Sequence, residues 1–162
     1  MSSGAGSGVG WDVPAAVADA CEFHWWHIRP GRVQVLTMLS PVPLWYVGHF
    51  DAGRMKACGG PTCECCGRGV GKQLRYVACA MDPCTRQIGV IELSRPVAEL
   101  LRDWSSRAGG FRGMTIEFSK ASKSKHSRME VRFCDVPPSP FAMSQKPYDL
   151  AEVMRLTWGR LG

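Results

Sequence analysis

Between residues 48 and 69 the chain reads GHFDAGRMKACGGPTCECCGRG, which sets one histidine and four cysteines in one short segment. So Gly-rich a stretch has too little apolar company to form a core of its own, so something other than burial must hold it. Tetrahedral zinc takes thiolate sulfur and imidazole nitrogen, and a C-x-x-C pair supplies two ligands from one tight turn. Cys63 and Cys66 have that separation, and Gly67 and Gly69 free the backbone to turn around an ion. Cys58 lies just upstream, and His49 sits near the end of the strand-like run LWYVGHF. The expected ligand set is therefore His49, Cys58, Cys63 and Cys66, holding a structural Zn2+. Cys65 is a spare that could replace Cys63 or Cys66. Two rival readings are buried thiols acting as small hydrophobes and a redox C-x-x-C. The second lacks a thioredoxin-like βαβ context. A catalytic zinc needs an open position and a general base. Glu64 lies inside the loop, but the H-x-E…P-C-x-x-C deaminase pattern is absent.

The rest of the chain is that of one globular domain of 162 residues, with 45% hydrophobic and 21% charged side chains. MSSGAGSGVG at the start has neither the basic nor the apolar region of a signal peptide, and reads as a disordered Gly/Ser tail over 1–10. No stretch approaches the roughly 20 apolar residues of a membrane span. The expected location is therefore cytoplasmic, at a nucleoid or viral replication site. There, eight cysteines argue for metal or reduced thiols rather than disulfides.

Strand-type runs occur at 32–40, 44–50, 72–81, 86–94, 113–121 and 127–136, the last two alternating strictly. Pro41 and Pro43 interrupt the first pair. Ala15 to Cys21 suits a short helix. Val97, Leu100, Leu101 and Trp104 fall on one helical face behind Pro96, with Ala108-Gly109-Gly110 as the stop. Helical spacing returns from Asp149. Strands, an inserted loop, a hairpin, a helix and a second hairpin follow the order of the OB-fold, a five-stranded barrel whose face and loops bind oligonucleotides. The expected fold is thus mainly β: an OB-fold domain over 11–136 with zinc loop 48–69, then a linker and C-terminal helix over 137–162. An α+β sheet or another small barrel is the alternative.

The net charge of +6 favours an acidic partner, nucleic acid before anionic membrane. Single-strand binding needs cations for phosphates and aromatic faces for bases. The linker between the last two strands supplies Lys120, Lys123, Lys125 and Arg128, with Arg112 and Arg132 extending the same region. Arg54, Lys56, Arg68, Lys72 and Arg75 surround the Cys-rich loop. Trp45, Tyr46, Phe50 and Tyr76 are the stacking candidates by position. His126 is expected to be exposed in its loop. No catalytic constellation emerges: the histidines are dispersed, carboxylates are unpaired, and GRGVGK lacks P-loop spacing.

A strand ending in His, then Cys, then C-x-x-C, set within an OB-fold, resembles the zinc-bearing single-stranded-DNA-binding protein of T-even bacteriophages and its distant relatives. The matching positions are His49, Cys58, Cys63 and Cys66, and the resemblance spans 33–134. The ligand spacing is more compact than in that family, and its acidic C-terminal tail is absent, since this chain ends RLTWGRLG. The resemblance implies a non-enzymatic, largely sequence-independent single-stranded-DNA binder acting in replication, recombination or repair. RNA is not excluded, and replication or recombination proteins are candidate partners. The alternatives are a zinc-stabilised protein-interaction module within a nucleoprotein complex, and a thiol or metal enzyme.

Overall fold

The computed structural model describes residues 23–122 and 128–158. The helix expected over 15–21, together with Lys123, Lys125 and His126, lies outside the described residues. The strands are β1 (Trp25–Trp26), β2 (Val33–Met38), β3 (Leu44–Asp51), β4 (Arg54–Ala57), β5 (Gln73–Met81), β6 (Ile88–Ser94), β7 (Thr115–Lys120) and β8 (Met129–Cys134). The helices are α1 (Glu64–Gly67), α2 (Arg95–Ala108), α3 (Pro140–Ser144) and α4 (Leu150–Trp158). Strands β1 and β4 were not expected from sequence.

All eight strands join one mixed sheet with the order β1-β6-β5-β2-β7-β8, β3 pairing with both β5 and β4. Only β1 on β6 is parallel. Strands β2 and β3 lie end to end along the same side of β5. From Met38 to Leu44 the chain advances six residues while the partner moves three, from Ala80 to Val77. The surplus is a bulge containing Pro41 and Pro43, where the N–H groups of Leu39 and Ser40 both donate to the Cys79 carbonyl.

The sheet does not close into a barrel, which corrects the expectation of a closed OB-fold. β1 occupies the outer edge of β6, and α2 packs on β5, β6 and β8, so β6 and β8 stay apart.

Both faces of the central strands are covered. Leu36, Met38, Ala78, Ala80, Ile91, Leu93, Ile116 and Phe118 pack under Val97, Ala98 and Leu101 of α2. On the other face, Val77, Cys79, Met81 and Val90 pack against Ala142 of α3 and Leu150, Val153 and Met154 of α4. This explains why VACAM in β5 is uniformly apolar rather than alternating. Helix α2 carries Pro at its first turn and ends at Gly109, in the left-handed region at φ 84°. Among the described residues no helix is long and apolar enough to cross a membrane.

Gly48 sits where β3 meets both β4 and β5. A Cβ there would lie 2.9 Å from the Lys56 carbonyl oxygen and equally close to the side chains of Met55 and Tyr46. The Lys56 carbonyl is backbone and cannot step aside cheaply. Gly48→Ala is therefore expected to destabilise the protein by about 1–3 kcal/mol, read by urea denaturation.

Candidate metal centre and its surroundings

The β3–β4 hairpin builds half of the centre. Its two-residue turn places Ala52 at φ 52° and Gly53 at φ 79°, the positive pair that a type I′ turn requires. His49 then pairs with Lys56, and the Cys58 N–H donates to the Val47 carbonyl at 2.8 Å. A 3-10 turn over Gly60–Thr62 leads into α1, which has Cys63 at its N-cap and contains Cys66.

Four potential ligand atoms, one each from His49, Cys58, Cys63 and Cys66, lie within 4.8 Å of one another. His49 Nε2 is 3.5 Å from Cys63 Sγ and 3.5 Å from Cys66 Sγ, and Cys58 Sγ is 3.6 Å from Cys66 Sγ. A tetrahedral ion with metal–sulfur bonds near 2.3 Å and metal–nitrogen bonds near 2.0 Å has ligand–ligand edges of about 3.5–3.8 Å. The donor set and its spacing thus fit a metal site, and four protein ligands leave no open position. The other ring nitrogen, Nδ1, lies 3.1 Å and 3.0 Å from the carbonyl oxygens of Val70 and Gly71. Donation from Nδ1–H to either carbonyl leaves Nε2 as the lone-pair nitrogen facing the sulfurs. His49 is completely buried.

The thiols differ in acidity because their surroundings differ. Backbone N–H groups of Cys66 and Gly59 pull Cys63 down to about 6. The Gly60 N–H lowers Cys58. Burial, followed by the neighbouring thiols, pushes Cys66 up to about 11. His49 is raised, chiefly by its bond to Cys58. At neutral pH a metal must therefore displace at least the Cys66 proton. Affinity is expected to fall about tenfold or more per unit as pH drops from 7, and more steeply once Cys63 and His49 also take up protons. Competition with a chromophoric chelator across this range reads the slope.

Cys65 is buried and turned elsewhere: its Sγ is 3.8 Å from Asp51 Oδ2 and 3.6 Å from an Arg68 nitrogen. It lies outside the cluster of four potential ligands. Asp51 also accepts from Arg68 at 2.7 Å and from Lys56 at 3.1 Å, and these cations, Arg68 first, hold its carboxyl well below the usual range. This latch ties α1 to the hairpin. Neither it nor the Val70 and Gly71 carbonyls had a spacing signal in the sequence.

Around the centre, Trp45 is 64% exposed and is the cross-strand partner of Tyr76, which is half-buried. Arg54 and Lys72 are exposed near the hairpin turn and before β5. Phe50 is also exposed. Tyr46 corrects the stacking expectation: it is 3% exposed, so its ring has no face for a base. Burial and then Glu92 hold its hydroxyl well above the ordinary phenol range. Arg75 is engaged with Glu92 at 2.7 Å.

Arg112 is likewise structural. Its guanidinium donates to the carbonyls of Leu39, Met143 and Gln145, which ties the bulge after β2 to α3. Arg132 pairs with Glu117 at 2.6 Å. Lys120, half-buried, and Arg128, exposed, flank the basic linker at the start of the β2–β3 run. The metal cluster stands at the opposite end of that run, so Lys120 and Arg128 lie apart from the cations of the Cys-rich loop. No protein-family model, curated protein or solved structure matches the chain.

Proposed function

We propose that the chain binds single-stranded nucleic acid, DNA in the first instance, and that one structural zinc ion clips its 58–71 loop. The observation that carries this reading is the exposed indole of Trp45 beside Tyr76, on the strand that also contributes His49 to the metal cluster; exposed Arg54, on β4, and Lys72, just before β5, lie farther along the sheet, toward the cluster. Aromatic faces next to cations are what single-strand binding needs. Three sulfurs and one nitrogen favour zinc over hard oxygen-seeking ions. A closed ligand set supports a structural rather than catalytic role.

The connectivity adds support. With β2 and β3 counted as one bent strand, the neighbours run β6, β5, β2–β3, β7, β8, with a helix between β6 and β7. This is the OB order, opened between β6 and β8. The outer face of β5–β6, where an OB-fold carries its ligand, lies here under α4. The proposed binding surface is therefore the exposed Trp45 side of β3 together with the zinc loop. Replication, recombination or repair is the proposed setting, as for the phage proteins that the ligand pattern resembles.

Titration with oligo-dT at several salt concentrations tests the reading through the intrinsic Trp signal. Tight binding that weakens steeply with salt is expected. Trp45→Ala should cost about 1–3 kcal/mol, roughly five- to 150-fold in affinity, and Arg54→Ala or Lys72→Ala should each reduce the salt slope by about one. Absent or salt-insensitive binding overturns it. A zinc-loaded protein that ignores oligonucleotides would favour the interaction-module reading, for which exposed Val42 and Trp45 would contribute to the docking surface.

A further inference from the structure

We infer that one nucleobase of the bound strand inserts into a slot between β5 and helix α2, a placement that rests on the single-strand-binding reading above. The slot is a groove of about 180 Å3 whose floor is Leu93, Leu101 and Phe111. Tyr76 stands on the strand side, and Val42 and Pro43 form the outer wall. It exists because α2 presents small residues there. Ala98, Arg102 and Ser105 follow one another at i, i+4 and i+7, which is one helical face, and Ala98 and Ser105 leave room opposite the Tyr76 ring.

Three features fit a base rather than an aliphatic ligand. Trp45 is the cross-strand partner of Tyr76, which lines the slot. The exposed indole therefore continues the surface of the slot, giving consecutive bases two aromatic rings. The rim carries Glu99 as an acceptor and Arg102 as a donor, which suits the polar edge of a base. Arg95, bonded to Glu99 at 2.9 Å, and Arg102 are exposed cations, placed to meet the phosphates flanking an inserted base. These helix residues had no place among the binding residues expected from sequence.

Ser105 is half-buried at the rim, so Ser105→Phe fills the slot from its open side, and Val42→Trp, at a position 66% exposed, closes it from the opposite wall. Each is measured with the shortest oligo-dT that still binds the unaltered protein, and with the same oligonucleotide carrying one abasic position moved along its length. Ser105→Phe and Val42→Trp are expected to weaken binding roughly tenfold with unchanged thermal stability. In the unaltered protein one abasic position should cost a similar factor, and that cost should vanish in the filled variants. Normal affinity in either folded variant, or an abasic series without a sensitive position, overturns the slot while leaving single-strand binding in place. Failure of the unaltered protein to bind any oligonucleotide overturns the reading on which the slot rests.

Discussion

Cys66→Ser protein is expected to lose its metal and, with it, the order of residues 58–71, while the sheet remains folded. Cys66 Sγ lies close to both His49 Nε2 and Cys58 Sγ, and a serine hydroxyl is a poor replacement for thiolate. Apart from the Asp51–Arg68 latch and the His49 contacts to the Val70 and Gly71 carbonyls, the loop has little to hold it. Between residues 58 and 71 only Cys65 is buried, and the short helix α1 is too brief to persist alone. On the proposed reading, metal binding would therefore supply much of the loop's folding free energy. About one zinc per chain should fall to none, the melting temperature should drop by about 10 °C, and amide exchange should accelerate across 58–71 but not in β5 or β6. Cys65→Ser is the internal control. Its thiol faces Asp51 and Arg68, so that variant should keep the metal. Retention of metal by Cys66→Ser would mean that the four-ligand assignment is wrong.

The second large effect lies at the other end of the chain. Met154→Ala is expected to cost about 2–5 kcal/mol, measured by urea denaturation. Met154 and Val153 are fully buried against the face that carries Val77, Cys79 and Val90. The segment after residue 137 is thus the lid of a core. The Tyr148 N–H reaching the Cys79 sulfur and the Arg112 bonds to α3 fix it in place. A cost near zero would show α4 to be an appendage after all.

Which parts of this were readable in the sequence follows from how local their causes are. The ligand set was legible because C-x-x-C and a strand-terminal His state their chemistry at short range. The alternation in β7 and β8, the β5–β6 hairpin and most of the periodic face of α2 were legible for the same reason, although Leu100 of that face is exposed and Ala98 is buried instead. Strand β4 was not, since its turn uses Ala52 in the left-handed region, where Asn-Gly or Asp-Gly would have announced a hairpin. β1 is two residues long and is held by a parallel partner more than 60 positions away, which leaves no local pattern. Tyr46 and Trp45 are neighbours whose opposite faces follow from pleating. Which of them is buried depends on α4 arriving from 100 residues downstream. Arg112 looked like a phosphate contact because its carbonyl partners come from segments remote in sequence. Barrel closure failed as an expectation because strand order does not specify whether the first and last strands meet.

X-ray absorption at the metal edge of reduced, purified protein is the most direct test of the centre on which the account turns. The account predicts one zinc per chain, with three sulfur neighbours at about 2.3 Å and one nitrogen neighbour at about 2.0 Å. A shell of oxygens, a fourth sulfur in place of the His49 nitrogen, or protein that takes up no zinc when fully reduced would contradict it.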